Sequence, residues 1–163
     1  MDRKEKSWLP IIEKQEELLV FDKFDQEDVW KFAQKCVELA TDKYKKGVAI
    51  RVILEGTLVF SYLMKDSNIE NNWWMEKKLN VVAKTQVSSL RSSIEYEFGV
   101  HKKEPWCDEL GQYALCGGCI PIWRKDRSII GYVLISNLTH ECDHQLAADA
   151  LAYCAGVEIP SVV

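Results

Sequence analysis

The stretch Val48-Ala49-Ile50-Arg51-Val52-Ile53-Leu54-Glu55-Gly56-Thr57-Leu58-Val59-Phe60-Ser61-Tyr62-Leu63-Met64 decides the fold. Val48, Ile50, Val52 and Leu54 alternate on one face of an extended chain. Leu58, Phe60, Tyr62 and Met64 alternate again. Glu55-Gly56 between them is a turn signal, so the segment predicts a β-hairpin. Asp66-Ser67-Asn68 ends it.

Helices are expected on both sides of this hairpin. Upstream, Asp25 is a good N-cap, Asp28 stands at N3, and Phe24 can staple onto Val29. Val29, Phe32, Ala33, Cys36, Val37, Ala40 and Tyr44 then follow helical spacing, with Gly47 as the expected stop. The residues before Val20 read as a short charged helix leading into a strand. Downstream, residues 71–98 contain no proline or glycine and predict one long helix, with Trp74, Val81, Ser88 and Ser92 on its inner face. Ile120–Arg124 and Ile129–Ser136 form a second antiparallel pair, and Pro121 places its strand at an edge or a bulge. A last helix starts near Thr139, with Cys142, Leu146, Ala150 and Cys154 on one stripe. The order predicts an α+β domain over residues 1–163, one antiparallel sheet covered by helices.

Composition narrows the function classes. Of 163 residues, 47% are apolar and 28% charged, which is a globular composition. The net charge of −4 and the lack of a basic run argue against nucleic acid as a partner. The N-terminus shows no secretory apolar region, and Gly47–Met64 is interrupted by Arg51, Glu55 and Gly56, so no membrane span is expected. A cytoplasmic setting follows, in which the six cysteines stay reduced.

Several residue patterns could carry chemistry. His140-Glu141-Cys142-Asp143-His144 matches H-E-x-x-H, in which two histidines bind zinc and the glutamate activates water. Its place in the first turn of a helix argues against that reading, and Ala147 and Ala150 stand where an extended motif needs Gly and His. Asp149 or Glu158 would have to be the third ligand. The plainer reading is an acidic first turn that complements the helix dipole. Cys116-Gly117-Gly118-Cys119 is a C-x-x-C ahead of a strand, which suits a Gly-Gly turn with two small buried thiols better than a redox pair or half a zinc site. Cys36, Cys142 and Cys154 fall on helix stripes and are expected in the core; Cys107 has no assignment. Trp73 and Trp74 cannot both face inward, so one is expected at a subunit contact. Ser88 and Ser89 could hydrogen-bond an anionic ligand, or simply allow close packing.

A set of segments, taken in order, resembles a known family. They are Asn71-x-x-Trp74-x-x-x-Lys78-x-Asn80-Val81-Val82, Ser88-Ser89, Tyr113-Ala114 before Gly117-Gly118, Pro121-Ile122, Gly131, Ser136-x-Leu138 and Glu141-x-Asp143-His144. Their order and spacing resemble a family of small proteins in the haem-degrading-domain superfamily. That superfamily includes GlcG-like and HbpS-like proteins and the C-terminal domain of PduO-type corrinoid adenosyltransferases. The resemblance implies a profilin-like α-β-α domain that assembles into a homo-oligomer. It also brings haem into view as a cofactor. The chain departs from the pattern at three places. Gln86-Val87 stands for Gly-His, Cys116 for His, and Cys142 for Glu, so two histidines able to ligate iron are absent.

Three functions follow as expectations. The first is an oligomeric small-ligand-binding or assembly protein. Its site would contain Asn71, Trp74, Lys78, Asn80, Ser88, Ser89, Gly117, Gly118, Glu141, Asp143 and His144. The second is a haem-binding or haem-degrading protein with His144 or Cys116 on the iron. The third is a metal-dependent hydrolase using His140, Glu141 and His144. No metal is expected; Cys116, Cys119, His140 and His144 are the candidates if one binds.

Overall fold

A computed structural model describes residues 4–163. Four strands form one antiparallel sheet in the order β2-β1-β4-β3: β1 (Ala49–Leu54), β2 (Thr57–Leu63), β3 (Cys119–Trp123) and β4 (Ile129–Ser136). The hairpin stands where the alternation placed it. Glu55 and Gly56 both take positive φ, 48° and 79°, as a tight hairpin turn requires. A bulge between Val52 and Ile53 shifts the register, so Phe60 lies opposite Val52 but Leu58 lies opposite Ile53. Pro121 sits on the outer strand β3, where its missing N–H costs no ladder bond.

Helices cover both faces of the sheet. α2 (Gln26–Leu39) and α5 (His140–Ala155) pack on the face carrying Val48, Ile50, Val52 and Leu54. Phe32 and Cys36 of α2 and Leu146 and Ala150 of α5 are fully buried there. α3 (Ile69–Thr85) packs on the opposite face, where Met75 and Val82 meet Ala49, Cys119 and Leu134. The result is the expected α-β-α arrangement. Asp25 caps α2 through a reciprocal capping box with Asp28. The last turn of α2 widens into a π turn (Ala40–Tyr44), and Lys45, left-handed at φ 56°, ends it. Gly47 is therefore not the helix stop. It lies where the chain passes Lys65, whose carbonyl oxygen would be 1.7 Å from a Cβ.

The expected single helix over residues 71–98 is two helices. α3 ends at Gln86, left-handed at φ 61°, and Ser88 caps α4 (Ser89–Glu97) by accepting from Arg91 N. The break lets α4 turn onto α1 (Leu9–Leu18), whose buried Glu16 accepts from Ser88 N at 2.9 Å and from Arg91 Nη1 at 2.7 Å. Val81 and Ser92 are buried as expected, but Trp74 is half exposed and does not belong to the inner face. Cys107 packs in a small satellite cluster with Tyr96 and Trp106. Among the described residues, no helix is long and apolar enough to cross a membrane.

Candidate functional site

The site is built where the first half of α3, the end of β4 and the start of α5 meet. Asn68 caps α3, and Asn71 returns the bond by accepting from Asn68 N. That fixes Asn71 so that its Nδ2 donates to Ser136 Oγ at 3.2 Å. Lys78 lies two turns along the same face. Its Nζ donates to Ile135 O at 2.9 Å and to Asp143 Oδ2 at 3.1 Å. Both side chains of this ion pair are almost wholly buried. Asp143 Oδ1 accepts from Leu138 N at 2.9 Å, so Asp143 reaches back over the start of α5, where Thr139 makes no side-chain cap.

Gly117 and Gly118 make the wall. Gly118, at φ 129°, has a carbonyl that accepts from Ile135 N. A Cβ there would come within 2.4 Å of Ile135 O and 2.7 Å of Lys78 Nζ. A Cβ on Gly117 would come within 2.2 Å of His140 O. Only a Gly-Gly turn can press this closely on both the ammonium and α5.

A pocket of about 280 Å³ opens onto this pair. Asn71, Trp74, Lys78, Asp143, Cys116 and His140 line it. Lys46, Ser136, Asn137 and Leu138, which were absent from the expected set, complete it. Ser136 and Leu138 did carry a signal, since both stand in the ordered segments; Lys46 carried none. Burial pushes the Asp143 carboxyl up to about 6, against the pull of Lys78. Burial pulls the Lys78 ammonium down, but Asp143, with Cys116 and Cys119 adding to it, more than offsets this, and its net shift is upward.

The other expected site residues lie elsewhere. Ser88 and Ser89 are fully buried; Ser89 Oγ accepts from Cys119 N at 3.0 Å, tying α4 to β3. Asn80 is exposed and donates to Gln112 O. Glu141 is partly exposed, with one carboxylate oxygen 3.8 Å from His140 Nε2. His144 is buried, and its Nε2 meets Gln15 Oε1 at 2.7 Å. Burial, with His140 adding to it, pulls the His144 imidazole down to about 3, so it is neutral. The two rings of the H-E-x-x-H segment thus face different partners, because His140 Nδ1 receives Gly117 N–H at 3.4 Å. Asp149, a possible third ligand, accepts from Gln145 instead. Among the described residues, no three His, Cys, Asp or Glu side chains form a group able to hold a metal. Cys119 is fully buried and its thiol is pushed well up by burial, whereas Cys116 is partly exposed; none of the six cysteines forms a disulfide.

Residues 24–152 match the family model described as haem degrading protein, HbpS-like. The chain belongs to the HbpS-like family. The ordered segments from Asn71 to His144 resembled this group, and the match bears the resemblance out. A UPF0303 protein of Brucella melitensis is a relative, 32% identical over 144 residues, which are 88% of this chain and 85% of that protein. The crystal structure of Ybr137w protein shares the HbpS-like fold with a TM-score of 0.77 at 21% identity, covering 96% of this chain and 98% of that one. The crystal structure of a PduOC:heme complex superposes with a TM-score of 0.65 at 20% identity, covering 84% of this chain and 96% of that one.

Proposed function

We propose that this HbpS-like protein is a homo-oligomeric, cytoplasmic small-ligand-binding protein whose Lys78–Asp143 pocket takes a small anion such as a carboxylate or phosphate. The observation that carries the reading is a buried ion pair at the floor of an open pocket. Buried ion pairs contribute little net stability, because desolvation offsets their attraction. One kept beside an opening orients a polar ligand instead. Lys46 and Lys78 against Asp143 leave the pocket with one excess positive charge. The start of α5 lies at the same opening, where the helix dipole favours an anion. The volume of about 280 Å³ lies just below the roughly 300–1,000 Å³ usual for ligand pockets, which suits a small metabolite.

The test is thermal unfolding and tryptophan fluorescence with a panel of small mono- and dicarboxylates and inorganic phosphate. Ligand at a hundredfold excess over Kd should stabilise the fold by about 2.7 kcal/mol. The stabilisation should fall in Lys46→Glu and Asn71→Ala. Trp74→Phe should lose the fluorescence change while keeping the thermal shift. If no member of the panel moves either signal, the reading fails.

A second reading, haem, is favoured by Cys116 on the pocket wall and by the family's description. The fit is poor. Cys116 offers a sulfur donor, but only Trp74 and Leu138 offer apolar surface, and the pocket of about 280 Å³ does not enclose a macrocycle. His144 does not line the pocket; its ring is buried, with Nε2 against Gln15. Haem titration checks this: a Soret shift lost in Cys116→Ala would revive the haem reading, and no shift in the unmodified protein would end it.

A further inference from the structure

The two edges of the sheet are not alike. The β3 edge is closed: Val20 forms a parallel bridge to Trp123, and Phe21 N donates to Trp123 O at 2.9 Å. The β2 edge is open. Its residues Thr57–Leu63 include no charge and no proline, the usual guards of an exposed edge. Beside it, a groove of about 470 Å³ runs between α2 and β2, lined mainly by Trp30, Ala33, Val37, Phe60 and Tyr62. Trp30 is 58% exposed, Leu58 51%, Tyr62 48% and Leu63 37%.

We propose that this edge and groove form the contact with a second copy of the chain, related by a two-fold axis at Ser61. This deepens the oligomeric part of the proposed function, and its test does not involve the ligand pocket, so either can fail alone.

Three observations select a second copy. The first is area. With about 150–250 Å² per aromatic side chain, the exposed parts of Trp30 and Tyr62 present roughly 200 Å² on the α2 face of the sheet. That is about a quarter of the roughly 800 Å² each partner gives to a specific interface; Leu58 and Leu63, which flank the edge on the α3 face, add to it with the paired backbone of β2 and the α2 rim. The second is self-complementarity. The bulge leaves Phe60–Leu63 as the straight part of the strand. Antiparallel pairing centred on Ser61 puts Phe60 opposite Tyr62 of the partner subunit on the α2 face of the sheet. Tyr62 of the partner subunit then enters the groove beside Trp30, whose ring already meets Phe60 edge-on at 6.4 Å. An isologous contact of this kind uses one patch twice. The third is that the chain's own C-terminal segment is held elsewhere, by Gln15 on Pro160 O and Gln145 on Val162 N.

Light scattering after size exclusion should give an assembly of an even number of copies. Trp30→Lys combined with Tyr62→Lys should at least halve the mass while circular dichroism and cooperative thermal unfolding persist. Under mild oxidation Ser61→Cys should yield a covalent dimer that the unmodified protein, with its six cysteines, does not. A monomeric unmodified protein, or a double variant of unchanged mass, overturns the proposal. Failure of Ser61→Cys to cross-link overturns the two-fold at Ser61. A mass change seen only after adding a foreign extended peptide would assign the edge to a peptide partner instead.

Discussion

Lys78 and Asp143 stand 65 residues apart and meet at 3.1 Å. Each was legible as a polar residue in an ordered pattern; the pairing was not, because sequence periodicity reports only which residues share one element. His144 shows the same limit. Its position suggested a ligand, yet its ring ends against Gln15, 129 residues away. That burial has a measurable consequence. The His144 imidazole is held near 3 in the folded chain against about 6.5 when unfolded. The unfolded chain therefore binds the extra proton between pH 6.5 and 3, and the stability from neutral His144 is present above pH 6.5 and lost as pH falls. Asp143 acts with the opposite sign. Its folded value near 6 exceeds the ordinary 3.8, so its contribution is present below pH 3.8 and lost as pH rises through 6. His144→Gln keeps a donor for Gln15 and removes the first effect. Urea unfolding from pH 7 to pH 4 should show the variant gaining on the unmodified protein by a few kcal/mol as pH falls. Parallel curves would refute the assignment.

At the scale of elements, the hairpin, the capped α2 and the paired β3 and β4 followed from alternation, capping residues and turn residues, which are local signals. The break between α3 and α4 did not. Nothing in Lys84-Thr85-Gln86-Val87 breaks a helix by propensity. The turn is imposed by contacts made afterwards: Ser88 N on Glu16, Ser89 Oγ on Cys119 N, and Ser92 Oγ on Thr85 Oγ1. Gln86 bears the strain as a left-handed non-glycine residue. Gln86→Gly should relieve it and raise stability by up to about 1 kcal/mol, or about 2–4 °C in Tm for a chain of this size. A lower Tm would show that Gln86 is not strained.

At the scale of the molecule, one sheet serves two cores. Phe32 on the α2 side and Met75 on the α3 side are both fully buried, and the strands between them belong to both clusters. Phe32→Ala should cost about 3–5 kcal/mol and Met75→Ala about 2–5 kcal/mol. Each should lower a single transition, since neither layer has a sheet of its own; two separated transitions by circular dichroism and fluorescence would contradict this. The α+β class, the sheet and the helices on both its faces were readable from the chain alone, because burying apolar stripes of two periods leaves few arrangements. The family resemblance was readable as well, since it lies in ordered segments. The pocket was readable in part. Asn71, Trp74 and Lys78 come from one helix, so their spacing revealed them together. The folded structure alone brought Asp143, Cys116, Ser136 and Lys46 to the same opening, and sent Ser88, Ser89 and His144 into the interior. Which polar residues face a cavity depends on how the layers dock, and docking is set by contacts between residues far apart in the chain.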